Sequence, residues 1–179
     1  MKIYVRDDDF LIPSSAFADP LARFKEVHDL ICQDSKFLHV PAVLCGEIDK
    51  FPGALEFLQT ETKEGRMFPE VHGWNHVDYG TMTYDEAVQN LTRCMEWFDT
   101  NLCLVPKLFY TPWAGESELL TSAAESVGLK AVGGKRNFIE PHKYLNELYP
   151  LVDGVTIAMH WWKNGDVKHF KRILEGEIS

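Results

Sequence analysis

Short apolar runs alternate with amphipathic segments of helical length, and this regular alternation is the sequence feature that most constrains the fold. Apolar runs bounded by turn residues are typical of buried strands, whereas helical periodicity over longer segments is typical of surface helices. Strands that are joined by helical crossovers pair in parallel within one sheet. The predicted strands cover residues 3–8, 37–45, 67–72, 107–113, 129–133 and 155–161.

The intervening segments predict helices with recognisable ends. Thr83 and Glu86 have the spacing of a capping box at the start of the third helix, and Gly128 is a typical stop after the fourth. We find no repeat and no linker rich in Pro, Gly or Ser, so the sequence predicts one α/β domain over residues 1–179. The predicted helices cover residues 20–32, 53–62, 84–101, 116–127, 141–148 and 167–177.

Charge and composition exclude several classes of function. The formal net charge of −9 argues against nucleic acid or an anionic membrane surface as the main partner. The sequence has no apolar run long enough to span a bilayer, and it begins with a strand-like run instead of a secretion signal, so we expect a cytoplasmic protein. The four cysteines lack CxxC spacing, and reduced thiols are expected. Oligomeric state stays open.

The motif His72-Gly-Trp-Asn-His76 predicts a divalent metal site together with the acidic cluster Asp7-Asp8-Asp9. Two imidazoles four residues apart can reach one ion if the backbone between them makes a helical turn. One carboxylate would complete the ligand set and leave positions open for water and substrate, as in catalytic metal sites. Zinc is the expected ion, although cobalt, nickel, manganese or iron also suit such ligands.

Chemically active residues cluster at the predicted carboxyl ends of the strands. These ends form the edge at which active sites are built in barrels and open sheets of parallel strands. These residues are scattered along the sequence, yet they are all expected at one edge of the sheet. Core packing does not explain that arrangement, which favours a metal-dependent catalytic site. The residues concerned are Asp8, Asp9, His72, His76, Trp113, Lys135, Arg136 and His160.

Four motifs in order resemble the polysaccharide deacetylase superfamily, also known as the NodB-homology or carbohydrate esterase family 4-like superfamily. They are Val5-Arg6-Asp7-Asp8-Asp9, His72-Gly-Trp-Asn-His76, Phe109-Tyr-Thr-Pro-Trp113 and Ile157-Ala-Met-His160, and together they cover nearly the whole chain. The resemblance implies a distorted, incomplete (β/α) barrel, which periodicity alone does not distinguish from an open sheet.

The resemblance also implies roles for individual residues. Asp9, His72 and His76 would bind the metal, Asp8 would be the catalytic base and His160 the general acid. Because three aspartates are consecutive, Asp7 as base with Asp8 as ligand is the alternative register. For Asp7 itself a solvated or helix-capping carboxylate is the simpler interpretation.

Substrate contacts are expected from the resemblance for the oxyanion and from the apolar faces of the tryptophans for the sugar. The backbone N–H of Trp113, after Pro112, would stabilise the oxyanion, and Trp74, Trp113 and Trp161 would stack on the sugar. The other histidines, His28, His39, His142 and His169, fit no motif and are expected to be surface or core residues.

The sequence departs from the family where an arginine usually orients the base and an aspartate holds that arginine. Tyr110 and the segment 135–137 occupy those places. Arg6, on the same side of an ideal strand as Asp8, or Arg136 could supply the missing cation.

The expected function is hydrolysis of N-acetyl or related acyl groups on a carbohydrate or sugar-like substrate. Two alternatives remain open. One is a non-catalytic, metal-containing carbohydrate-binding module, and the other is metal-dependent hydrolysis of a different C–N bond or of a phosphoester.

Overall fold

The strands of the computed structural model form one parallel sheet in the part of the chain that the structure describes, residues 2–11, 17–115, 117–132 and 154–176. The strand order is β5-β4-β3-β2-β1-β6, and every pairing among them is parallel. The strands are β1 (Lys2–Phe10), β2 (Phe37–Leu44), β3 (Glu70–Gly73), β4 (Leu108–Tyr110), β5 (Lys130–Val132) and β6 (Gly154–His160).

Helices connect the described strands, and three of the five described helices begin at a side-chain cap. Asp19 accepts a hydrogen bond from the N–H of Ala22 at the start of the first helix, and the predicted capping box of Thr83 and Glu86 is present. None of these helices is long and apolar enough to cross a bilayer. The helices of the described residues are α1 (Pro20–Ile31), α2 (Ala54–Lys63), α3 (Tyr84–Leu102), α4 (Glu118–Ser126) and α5 (Asn164–Leu174).

The predicted fold class is confirmed. Each predicted strand corresponds to an observed one within a few residues, and the curled parallel sheet is that of an incomplete (β/α) barrel. The predicted helix 141–148 and the last predicted residue of the fifth strand, Gly133, lie outside the described residues. The four cysteines are free, with Cys45 and Cys94 buried and Cys103 exposed.

The two faces of β1 lead to different environments, and this decides what its aspartates can do. Ile3 and Val5 pack in the main core beneath the helices, whereas Tyr4 packs against the smaller cluster on the opposite, inner face of the sheet. Because side chains alternate along a strand, Asp7 shares the helix-covered face and Asp8 shares the inner face. Two neighbouring carboxylates are thereby separated by the sheet.

Candidate metal centre

Three side chains from two strand ends converge on one point. Asp9 at the end of β1 has its Oδ1 3.0 Å from Nε2 of His72 and 2.9 Å from Nε2 of His76. One candidate ligand atom from each residue lies within 4.8 Å of the other two. This close set of one carboxylate and two imidazoles is the donor chemistry that zinc and other divalent transition metals prefer, so the residues fit the expected ion.

The backbone between the two histidines differs from the prediction. His72 lies in β3, and residues 74–76 form a bend instead of a helical turn. Gly73 has φ 115°, and a Cβ added there would stand 2.5 Å from the hydroxyl oxygen of Tyr79. That hydroxyl accepts a hydrogen bond of 3.0 Å from the N–H of Trp74. A glycine-dependent bend, fixed by a buried tyrosine, therefore brings His76 back to His72.

The ring orientation of His72 is fixed by a second hydrogen bond. Its Nδ1 lies 2.7 Å from the carbonyl oxygen of Tyr110 in β4. Because a carbonyl only accepts, Nδ1 carries the hydrogen of this bond, and Nε2 is the ring atom that faces Asp9. Histidines that bind metals in proteins are commonly held in this way by a second, outer contact.

Asp9 has a left-handed backbone conformation with φ 65°, at a register shift in the pairing of β1 with β2. Burial acts to raise the pKa of the Asp9 carboxyl, but its hydrogen bonds with His72 and His76 outweigh burial and hold that pKa well below the usual range. The side chain is therefore an ionised carboxylate aimed at both imidazoles.

Asp8 and Arg6 form a buried ion pair on the inner face of the sheet. The guanidinium donates from Nε to Oδ1 at 2.5 Å and from a terminal nitrogen to Oδ2 at 2.6 Å. Arg6 also lies over the ring of Tyr110, 4.1 Å from its centroid. The chain thus places a cation on the Asp8 carboxylate from two residues away, and the ring of Tyr110 stacks on that cation.

His160 ends β6 directly beside Asp8, its partner in the parallel register. Its Nε2 lies 3.8 Å from Oδ2 of Asp9, and its Nδ1 lies 3.2 Å from Oδ2 of Asp166 in α5. The same carboxylate oxygen accepts the backbone N–H of His160 at 2.9 Å. Asp166 therefore fixes both the main chain and the ring, and Nε2 of the ring faces the metal centre.

Asp7 does not have the solvated or helix-capping role that the simpler interpretation gave it. It is fully buried, and its Oδ1 accepts the N–H of Trp161 at 2.7 Å. Burial raises the pKa of Asp7 well above its usual value, while the Trp161 N–H opposes that rise and the nearby carboxylates of Asp8 and Asp9 add to it. Asp7 faces the helix layer, away from the inner face that carries Asp8.

Behind Asp7 runs a polar chain that is buried except at its exposed end, Arg66, and that consists of Asp7, His39, His28, Glu61 and Arg66. Its steps are 3.3 Å from Asp7 Oδ2 to His39 Nε2, 2.9 Å between the two histidine Nδ1 atoms, and 2.9 Å from His28 Nε2 to Glu61. Arg66 then donates twice to Glu61, at 2.5 and 2.7 Å. Sequence reasoning missed this chain, because its members are far apart in sequence and all except Asp7 belong to no motif.

The predicted aromatic contacts divide into two groups. Trp113 is 69% exposed, and its ring centroid lies 4.9 Å from that of His76, so it borders the metal centre. Trp161 is fully buried and offers no face to a sugar, which corrects its predicted stacking role. The ring of Trp74 is covered by the guanidinium of Arg93 at 3.9 Å, and Pro112 is buried. Arg136 lies outside the described residues.

Solved structures with this fold are found at low sequence identity. A family 4 acetyl xylan esterase from Clostridium thermocellum, in complex with a cobalt ion, is 14% identical with a TM-score of 0.63, over 99% of this chain and 85% of that chain. A peptidoglycan deacetylase from Bacillus subtilis is 16% identical with a TM-score of 0.62, over 98% and 82%. A family 4 pseudoenzyme from Bacillus anthracis is 9% identical with a TM-score of 0.64, over 99% and 62%.

This chain has the fold of the family 4 carbohydrate esterases. The fold that the motif resemblance implied is therefore confirmed. No protein-family model and no curated protein matches the sequence. At these identities the likeness concerns the fold, so the chemistry of the site has to be argued from its own residues.

Proposed function

We propose that this protein is a divergent polysaccharide deacetylase that hydrolyses N-acetyl or related acyl groups on a carbohydrate with the help of one divalent metal ion. The observation that carries the proposal is the convergence of Asp9, His72 and His76 within 4.8 Å, with Asp8 and His160 side by side on neighbouring strands. Relatives of the fold that act on acetyl xylan and on peptidoglycan support the reaction class. Zinc is the ion we expect.

The bound ion would supply a Lewis acid that polarises the acyl carbonyl and makes water more acidic. Asp9, His72 and His76 would hold it. On the inner face, a carboxylate oxygen of Asp8 would accept the proton of the attacking water. Nε2 of His160 would donate a proton to the departing nitrogen, and imidazole suits that task because it exchanges protons near neutral pH. The backbone N–H of Trp113 would bind the oxyanion.

Arg6 would orient the base in place of the family's usual arginine. Its two hydrogen bonds to Asp8 fix the carboxylate plane, and Tyr110 holds the guanidinium from the other side. The choice of Asp8 over Asp7 as base rests on the faces of β1. Asp8 shares the inner face and the register of His160, whereas Asp7 is enclosed beneath the helices.

The sugar would rest against Trp113, which is the exposed tryptophan beside His76. Its apolar face can stack on the C–H surface of a sugar ring. Trp161 is not part of this proposal because it is fully buried.

A carbohydrate-binding protein without turnover is the second candidate. Two observations favour it: both of Asp8's carboxylate oxygens are already bound by Arg6, and one protein with this fold is a pseudoenzyme. Isothermal titration with chitooligosaccharides and measurement of acetate release separate the candidates, because the binding protein would bind without releasing acetate. Hydrolysis of a phosphoester or of another C–N bond at the same metal is the third possibility, and a phosphatase assay tests the former.

The sharpest test of the mechanism compares leaving groups. An acid that protonates the departing atom matters for an amine and much less for a phenolate. His160→Ala should therefore reduce deacetylation of an N-acetyl sugar about a hundredfold or more, yet reduce cleavage of an aryl acetate far less. Equal losses on both substrates with an unchanged melting temperature would remove the general-acid role. Equal losses with a lower melting temperature would identify His160 as a structural residue.

A further inference from the structure

We propose that the tandem tryptophans Trp161 and Trp162 are positioning residues for the metal-binding carboxylate of Asp9. The inference rests on the proposed metal centre and adds to it the residues that orient its carboxylate ligand, Asp9. Both indole N–H groups donate hydrogen bonds to Asp9: that of Trp161 to the main-chain carbonyl and that of Trp162 to the carboxylate.

The indole of Trp162 gives the two carboxylate oxygens of Asp9 different partners. Its Nε1 donates to Oδ2 of Asp9 at 3.1 Å, while Oδ1 faces His72 and His76 at 3.0 and 2.9 Å. An oxygen occupied by an N–H donor is held away from the ion. The carboxylate is thereby prepared to offer Oδ1 alone.

Trp161 secures the main chain of the same residue. Its Nε1 donates to the carbonyl oxygen of Asp9 at 2.8 Å, where φ is 65°. A non-glycine residue in this region costs free energy and persists only when its surroundings fix it. The side chain of Trp161 is fully buried, and the backbone N–H of Trp161 donates to Oδ1 of Asp7, so both the ring and the main chain of this residue are held in place.

Indole is well suited to this position because it donates one hydrogen bond and accepts none. It cannot replace a carboxylate, a histidine or water as a metal ligand, and it carries no charge that would weaken the attraction between Asp9 and a cation. The ring of Trp162 is partly buried, with the ring of His160 at 5.2 Å and the ammonium of Lys163 at 4.9 Å from its centroid.

The test measures metal affinity instead of turnover. Trp162→Phe keeps an aromatic ring and removes the N–H donor together with the five-membered ring. We expect its dissociation constant for Zn²⁺, measured by competition with a chromophoric chelator, to rise about 10- to 100-fold, the usual cost of losing an outer partner of a metal ligand. Trp97→Phe is the matched control, since Trp97 lies on α3 and packs on Phe98. Its affinity should stay within about twofold of the original.

Two further measurements separate positioning from general stability. Trp162→Gln restores an N–H donor of similar reach and should recover part of the lost affinity, although it lacks the ring. With Co²⁺ as the probe, Trp162→Phe should change the visible absorption spectrum, because a carboxylate free to use both oxygens alters the coordination geometry.

The outcomes are distinct. Unchanged zinc affinity and an unchanged cobalt spectrum in folded Trp162→Phe would overturn the proposal. If that variant does not fold, slow hydrogen exchange of the Trp162 indole N–H in the unaltered protein supports the bond, and rapid exchange refutes it. If the unaltered protein binds no divalent ion, the proposed function has failed at its metal centre. If it binds the ion but cleaves nothing, only catalysis has failed and the positioning role stands.

Discussion

Replacement of Arg6 should show how much a buried ion pair contributes to the free energy of unfolding. The side chains of Arg6 and Asp8 are 11% and 6% exposed, and two short hydrogen bonds join them. Each charge-assisted bond contributes about 1.5–3 kcal/mol, and breaking a buried pair by deleting one partner costs about 3–5 kcal/mol. Arg6→Met should therefore lower the free energy of unfolding by about 3–5 kcal/mol, because it leaves a buried carboxylate without its cation.

Urea denaturation with a chelator present measures this cost without any contribution from bound metal. The double variant Arg6→Met, Asp8→Leu should lose less stability than the single variant, because it buries no unpaired charge. Arg23→Met is the control, since Arg23 pairs with the 69% exposed Glu26, and its loss should cost about 1 kcal/mol or less. A cost of Arg6→Met no larger than that of Arg23→Met would refute the reasoning, as would strictly additive losses in the double variant.

Three further predictions concern metal binding, stability above neutral pH and stability in acid. Asp9→Asn should lose most of its bound Zn²⁺ by metal analysis while Asp8→Asn retains it and loses turnover; the opposite pattern would shift the ligand to Asp8. Burial raises the pKa of Glu70 to about 7, against the N–H bonds of Leu108 and Lys107. The folded state thus keeps Glu70 protonated up to about pH 7, whereas the unfolded state releases that proton at its ordinary pKa of 4.5. The stabilisation that the bound proton gives is therefore lost as pH rises through about 7. Glu70→Gln should accordingly match the original in acid and exceed it above pH 7 by up to about 3 kcal/mol in urea denaturation; no gain there would contradict the raised pKa. Burial lowers the pKa of His39 well below the ordinary value, so stability should fall with pH below about 6.5, where the unfolded chain takes up the proton. His39→Phe should flatten that acid slope yet cost about 2–4 kcal/mol at neutral pH, because two buried partners lose their hydrogen bonds; an unchanged slope would exclude His39 as its cause.

The sheet could be predicted because its signal is local. Most strands contain a short apolar run, the crossovers among the described residues contain amphipathic helices, and parallel pairing follows from that order. Arg6 could be considered as a partner of Asp8 for the same reason, since residues two apart in a strand lie on one side. The capping box of α3 is likewise a local pattern, and it is present.

The features that the sequence did not predict correctly depend on packing between elements that are far apart along the chain. The bend after His72 requires Gly73 beside Tyr79, and HxxxH spacing alone suggested a helical turn. Trp161 follows an expected site residue and was interpreted as a sugar platform, yet its side chain is directed into the core by contacts with β1. The link between His28 and His39 needs α1 to lie over β2 at one particular register, which no sequence period encodes.

The spacing of these contacts along the chain implies an order in which the site is completed during synthesis. The Arg6–Asp8 pair spans two residues, the contact between Asp9 and His72 spans 63, and the tryptophan contacts to Asp9 span 152 and 153. Longer loops close later, and chains leave the ribosome from the amino end. A nascent chain would therefore expose all three proposed ligands before β6 arrives to aim the carboxylate. An ion bound at that stage would dissociate readily and could exchange for another. It would become tightly bound only after β6 and the two tryptophans that follow it have packed against Asp9.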